Sequence, residues 1–135
     1  MAGEIFIIGD GAGAIFNAGV TGANVSNTQT VTAADATVVA GKAATMGRVK
    51  VPAGKKVVVR SAGVTNASGA VVATVKAQSF DEAADAELCA TTASAEAFTT
   101  ANEAAAGKVV LFRLVNGSAA VVVASAFVTY SIIDA

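Results

Sequence analysis

The sequence predicts an all-β protein, specifically a jelly-roll-like antiparallel β-sandwich with an N-terminal arm. Short runs of β-branched residues recur along the chain, and turn signals rich in Gly, Pro and Asn separate them. No stretch shows a sustained helical period. Hydrophobic residues make up 54% of the 135 residues but aromatic residues only 5%, so small side chains must fill the core. Such a core suits closely packed sheets better than a deep ligand pocket.

The stretch 46–79 is the clearest β-rich region. Arg48 to Val51 alternates charged and apolar residues, which is typical of a strand with one wet face. Proline and glycine then favour a sharp turn at 52–54, because proline fixes φ and glycine tolerates positive φ. The rest of the stretch is interpreted as a hairpin: a strand at 55–64, a loop at Asn66-Ala67-Ser68-Gly69 and a returning strand at 70–79.

Two more hairpins are predicted downstream. One covers residues 87–100, and the other covers 108–133 around Asn116-Gly117, the dipeptide that type I′ turns favour. Longer connections at 80–87 and 101–107 would carry the chain between two sheets. Hairpins joined by such crossings predict a jelly roll; an immunoglobulin-like sandwich is the alternative, although the chain has no Trp.

The first 45 residues are expected to form an arm, and residues 46–135 the sandwich. Residues 4–8 (EIFII) predict a strand that is apolar on both faces, and a glycine-rich turn follows. The pattern Gly9-x-Gly11-x-x-Ala14 matches a dinucleotide fingerprint, but residues 15–24 are unsuited to the helix which that motif requires. Residues 26–32 predict a solvated edge strand. The interface candidates in the arm are Ile5, Phe6, Ile7, Ile8 and Phe16.

Composition argues against catalysis. The chain has no histidine, which removes the usual general base and most zinc sites, and its single cysteine, Cys89, has no histidine to activate it. We therefore expect no enzyme activity, no cofactor and no metal. The net charge of −1 gives no reason to expect a nucleic-acid partner. The start of the chain lacks a signal-peptide pattern and the apolar runs are too short to span a bilayer, so no membrane partner is expected.

Charge content favours self-association. Charged residues are 14% of the chain, against about a quarter in ordinary soluble domains. Much of the surface is therefore expected to be covered by other subunits. Basic residues gather between Lys42 and Arg60, and acidic residues between Asp81 and Glu103. Lys55 and Lys56 are the interface candidates of the basic region, where rim charges would fix the register of neighbouring subunits.

Two segments carry a family resemblance: RVKVPAGKKVVVRSAGVTN at 48–66 and GKVVLFRLVNGSAAVVVASAFVTYSII at 107–133. They resemble the jelly-roll capsid decoration (cement) proteins of tailed bacteriophages. The resemblance implies a structural virion protein, made in the host cytoplasm, that binds the major capsid protein on the outside of the shell. It also implies a homo-oligomer, commonly a trimer, and transfers no residue role. A tail or head-fibre subunit, or a glycan-binding β-sandwich module, is the alternative.

Overall fold

A computed structural model describes residues 28–66, 73–80 and 85–135, and within them every regular element is a β-strand. The all-β prediction is confirmed. The strands are β1 (Thr28–Val38), β2 (Ala43–Lys50), β3 (Lys55–Asn66), β4 (Ala73–Phe80), β5 (Asp85–Thr91), β6 (Glu96–Ala97), β7 (Glu103–Ala104), β8 (Val109–Asn116) and β9 (Val122–Asp134).

The strands form two antiparallel sheets that pack face to face. The first sheet has the order β1-β9-β3, with β6 and β7 both pairing to the far side of β3, and the second has the order β2-β8-β4-β5. Counted as one interrupted strand, β6 and β7 complete a set of eight. The pairs are then β1 with β9, β2 with β8, β3 with β6/β7, and β4 with β5. This pairing is that of one long antiparallel hairpin whose strands are divided between two sheets, which is the jelly-roll topology.

The three predicted hairpins are wrong. Strands β3 and β4 lie in different sheets, and so do β5 and β6, and β8 and β9. The turn signals marked where strands end, but the alternation of apolar residues suits a strand of either sheet and does not choose its partner. The connection expected to cross at 80–87 instead joins β4 to β5, which pair antiparallel from Val75 with Thr91 to Phe80 with Asp85.

The sandwich begins earlier than the expected boundary at residue 46. Strand β1 pairs with β9 from Thr28, opposite Ser131, to Val38, opposite Val122. Strand β1 is the edge of its sheet and most of its residues are exposed, which agrees with the solvated edge strand expected at 26–32 for the five residues from Thr28 that are described. The predicted arm strand at 4–8 and the glycine turn after it lie outside the described residues.

The core consists mainly of valine and alanine from both sheets. Its largest fully buried side chains are Phe112 and Leu114 on β8, and the Phe112 ring stacks on Tyr130 of β9 with centroids 4.9 Å apart. This contact joins the second sheet to the first. The expectation of a core filled by small side chains is therefore confirmed for the described residues.

Candidate interaction surfaces

The ionisable groups of the interior are unreactive. Cys89 is buried, and burial raises the pKa of its thiol to about 11, so the thiol stays protonated at neutral pH. Burial also raises the pKa of Tyr130. Within the described ranges, no group of three His, Cys, Asp or Glu side chains is placed to hold a metal ion. The features that stand out are on the outside of the sandwich.

The two lysines predicted as interface residues contact acids of their own chain. Lys55 Nζ lies 2.5 Å from Asp134 Oδ1, and Lys56 Nζ lies 3.1 Å from Glu103 Oε1. The hydrogen bond from Lys55, together with its charge, lowers the pKa of Asp134. Both acids come from strands that flank β3. Asp134 lies on β9, opposite Lys55, and Glu103 lies on β7, opposite Val58. Exposed ion pairs of this kind contribute little to stability.

The remaining predicted interface residues are Ile5, Phe6, Ile7, Ile8 and Phe16, and they lie outside the described residues.

The outer face of the second sheet combines cations with apolar side chains, and the sequence analysis missed it. Rows of paired residues cross this face: Arg48, Leu111 and Gln78 form one row, and Lys50, Val109 and Phe80 form the next. We call it the basic face. Its members are Arg48, Lys50, Phe80, Thr74, Lys76, Gln78, Val109, Leu111, Arg113 and Val115.

The cations of the basic face are poorly neutralised. Lys76 lies 3.4 Å from Glu87, whereas Arg48 and Lys50 are exposed and have no ion pair among the described residues. Arg113 donates from Nη1 to Gln78 Oε1 at 3.2 Å, but its Nε is buried and finds no acceptor in the described part of the chain. A buried N–H without an acceptor costs free energy.

The outer face of the first sheet differs in chemistry. Threonine and serine hydroxyls cover much of it, and several bond across the strands: Thr28 Oγ1 lies 2.9 Å from Ser131 Oγ, and Thr30 Oγ1 lies 3.1 Å from Thr129 Oγ1. We call it the hydroxyl face. Its hydroxyl residues are Thr28, Thr30, Thr32, Thr37, Ser61, Thr65, Ser125, Thr129 and Ser131. Arg60 Nε also donates to Ser131 Oγ at 3.2 Å, which brings one cation to this face. The protein thus presents one face rich in hydroxyls and one basic, partly apolar face.

Three exposed valines meet at one end of the first sheet. Val39, Val121 and Val123 are 56%, 59% and 37% exposed, and they are the large apolar side chains that stand exposed among the described residues. Thr37 pairs with Val123 and Val38 with Val122, so Val39 follows beside Val121. Sequence alternation alone did not reveal this cluster, because its members come from the end of one strand and the start of another.

Comparison with known proteins found no matching family model, no matching curated protein and no matching solved structure. Among the described residues, no helix is long and apolar enough to cross a membrane.

Proposed function

We propose that this protein is a structural virion component that assembles with copies of itself and covers the outside of a protein shell, as the decoration proteins of tailed bacteriophages do. The observation that carries the proposal is the basic face, where apolar side chains and unneutralised cations lie outside a core that is already closed. No catalytic role is proposed for any residue.

The apolar side chains of the basic face favour a protein partner. An antiparallel sheet with one face in water normally alternates apolar residues inward with polar residues outward. Strand β8 departs from this rule, since Val109, Leu111 and Val115 point outward and are only half-buried. Each such side chain gains about 25 cal/mol for every Å² of apolar surface that a partner covers. A partner that buries this strand therefore improves on the isolated sandwich.

The charges of the basic face indicate which protein surface fits. Arg48 and Lys50 are exposed and have no ion pair within the part of the chain that the structure describes. Carboxylates on the partner would pair with both, and charge-assisted bonds to arginine are among the stronger polar contacts. We therefore assign this face to the shell, through an acidic and partly apolar surface of the major capsid protein.

The low charge content supports an oligomer. A chain with 14% charged residues leaves large areas that are poor in charge, here the hydroxyl face, with Arg60 as its cation, and the cluster of Val39, Val121 and Val123. Areas of this kind suit contacts between identical subunits, and a trimer is the state that the family resemblance implies. No observation favours a glycan-binding module: among the described residues the only tyrosine is buried, and the phenylalanines are buried or half-buried.

Immunogold electron microscopy tests the proposal. Antibody raised against the chain is applied to phage particles from the source that encodes it. Gold spread over the head supports a decoration protein. Gold confined to the tail or to head fibres would instead support the fibre-subunit alternative. Particles that do not contain the chain would overturn both the decoration and the fibre-subunit hypotheses.

Reconstitution tests the assignment of the basic face. Particles stripped of the chain are mixed with the wild type, with an Arg48→Glu/Lys50→Glu variant, or with a Lys42→Glu control, whose exposed lysine lies in the turn before β2. We expect the wild type and the control to rebind and the double variant to fail. Equal rebinding of all three would contradict the assignment.

A further inference from the structure

Among the described strands, β1 has an open edge without the usual protection against pairing with another strand. From Gln29 to Ala33 it runs in unbroken register with β9 on one side, and it pairs with no described strand on the other. These five residues include no charge and no proline. A bulge interrupts the edge only afterwards, at Ala34 and Asp35, where Asp35 has a φ of 48°. A flat, uncharged edge is a template for a further strand.

The other edges of the sandwich are protected. Strand β2 carries the exposed cations Arg48 and Lys50 and a bulge near Gly47. Strand β5 carries Glu87 and an irregularity in its pairing beside Leu88. At the fourth edge, β6 and β7 are two residues long each. Charge, bulges and short strands all discourage edge pairing, so β1 stands apart from the rest.

The core is incompletely covered on the same flank. Seven apolar side chains pack against the core but remain partly exposed, and five of these lie on the two edge strands β1 and β2. We call these five the flank seam: Val31, Ala36, Ala44, Met46 and Val49. The two strands approach closely here, since a Cβ on Gly47 would lie 2.9 Å from Val31 Cγ1. A strand added to β1 would place its inward side chains over this seam.

The chain itself contains a segment of suitable chemistry. Residues 5–8 are Ile-Phe-Ile-Ile, an apolar run that the sequence predicts as a strand with two buried faces. The residues outside the described structure at this end, 1–27, lead directly into Thr28, which immediately precedes the open edge. An added strand satisfies its backbone groups along the edge, while alternate side chains cover the flank seam.

We infer that the segment Glu4–Ile8 of one copy pairs with the open edge of β1, from Gln29 to Ala33, in a neighbouring copy of this chain. The inference rests on the homo-oligomer of the proposed function and names the contact that holds it together. Nineteen residues, five of them glycine, separate Ile8 from Thr28. A fully extended chain of that length spans at most about 65 Å, well beyond the size of a small domain, so its length allows the segment to reach an adjoining copy.

Cross-linking between differently tagged chains tests the inference. One chain carries either Phe6→Cys or Ile7→Cys, because these neighbouring positions place the thiol on opposite faces of the segment. The other chain carries Thr30→Cys on the exposed side of β1. The two chains are co-expressed and treated with a short bis-maleimide. The matched control is Thr65→Cys, an exposed threonine on the same face of the sheet but on the interior strand β3. Cys89 gives no background because its thiol is buried.

We expect a cross-linked species containing both tags with Thr30→Cys, at least tenfold more abundant than with Thr65→Cys. A Phe6→Cys/Thr30→Cys double variant that cross-links only within one chain would overturn the exchange between copies. Equal or absent products at both positions would overturn the pairing itself. None of these outcomes depends on a phage particle, so failure here is distinct from failure of the capsid proposal.

Hydrogen exchange on unsubstituted protein covers the case in which a cysteine variant does not fold. Alternate amides of Gln29–Ala33 point away from β9, and in the full chain we expect them to be protected. Deletion of residues 2–16 should raise their exchange at least a hundredfold, leave the amides of β3 and β9 unchanged and reduce the oligomer to a monomer. Unchanged exchange after the deletion, or global unfolding of the domain, would overturn the inference.

Discussion

Replacing Asn116 with alanine should destabilise the protein by about 3 kcal/mol. Asn116 ends β8 with its side chain completely buried. Its Nδ2 donates to the carbonyl of Val38 at 3.0 Å and to that of Ala120 at 2.8 Å, and its Oδ1 accepts from Ser118 N at 3.0 Å and Ser118 Oγ at 2.7 Å. The side chain thus fixes the end of the second sheet to β1 in the first. Four hydrogen bonds at about 0.5–1.5 kcal/mol each give the expected loss.

Gly117→Ala is the matched control for that substitution. A type I′ hairpin at Asn116-Gly117 would require positive φ at both residues, and alanine at the second would then cost about 1–2 kcal/mol. In the structure, the described glycines with positive φ are Gly41, Gly54 and Gly107, and a Cβ on Gly117 meets no atom within 4 Å. Gly117→Ala should therefore change the stability by less than about 0.5 kcal/mol.

Urea unfolding followed by far-UV circular dichroism, at one fixed protein concentration, measures both changes. A large loss for Asn116→Ala with little change for Gly117→Ala supports an inter-sheet crossing. The reverse pattern, in which Gly117→Ala costs more stability than Asn116→Ala, would contradict the inter-sheet crossing and support the predicted hairpin.

Three further predictions concern charged and ionisable groups. The pKa of Asp134, measured by NMR titration, should lie below its ordinary value of 3.8, and it should return to that value in Lys55→Ala. Because the pKa is lowered in the folded state, the ion pair stabilises the fold above pH 3.8. This stabilisation is lost once the pH falls below the lowered pKa. The Lys55→Glu/Lys56→Glu variant should weaken assembly in sedimentation runs mainly at low salt, and equal assembly at every ionic strength would contradict a role in subunit register. Cys89 should resist maleimide at pH 7 in the native protein and react on unfolding, whereas rapid native labelling would show that the thiol is accessible.

Strand content was predictable because it depends on local chemistry. Stretches such as 55–64 and 108–115 are dense in β-branched residues, and both are strands in the structure. Pro52 and Gly54 marked a real turn, where Lys55 N donates to Pro52 O at 3.2 Å and Gly54 has a φ of 75°. Such signals act within a few residues of one another, and the sequence displays them directly.

Strand partners were not predictable, because pairing in a jelly roll is mostly non-local. Strand β1 pairs with β9 at the other end of the chain. Strand β3 also pairs with β9, whereas β4, which follows β3 in sequence, belongs to the other sheet. Asn116 shows why a local signal misleads. Asn-Gly favours a tight hairpin, but the same side chain also suits a buried site where it bonds to Val38 of β1 and to the loop that follows β8. Whether that side chain is buried distinguishes the buried site from the hairpin, and its burial depends on the assembled sandwich.

The surfaces were predictable only in part. The sequence located Lys55 and Lys56 as surface cations, but their acid partners, Asp134 and Glu103, become neighbours only through the pairing around β3. The basic face was hidden for the same reason, since Arg48, Gln78 and Leu111 belong to three strands that meet only in the sheet. A usable signal was present in β8, whose residues 109–115 are apolar on both faces apart from Arg113.

Sedimentation equilibrium of the full chain at micromolar concentration determines whether the chain associates, as an assembling surface component must. We predict one folded species with a mass close to three times the 13.1 kDa of the chain. A stable, folded monomer with the mass of one chain would contradict it.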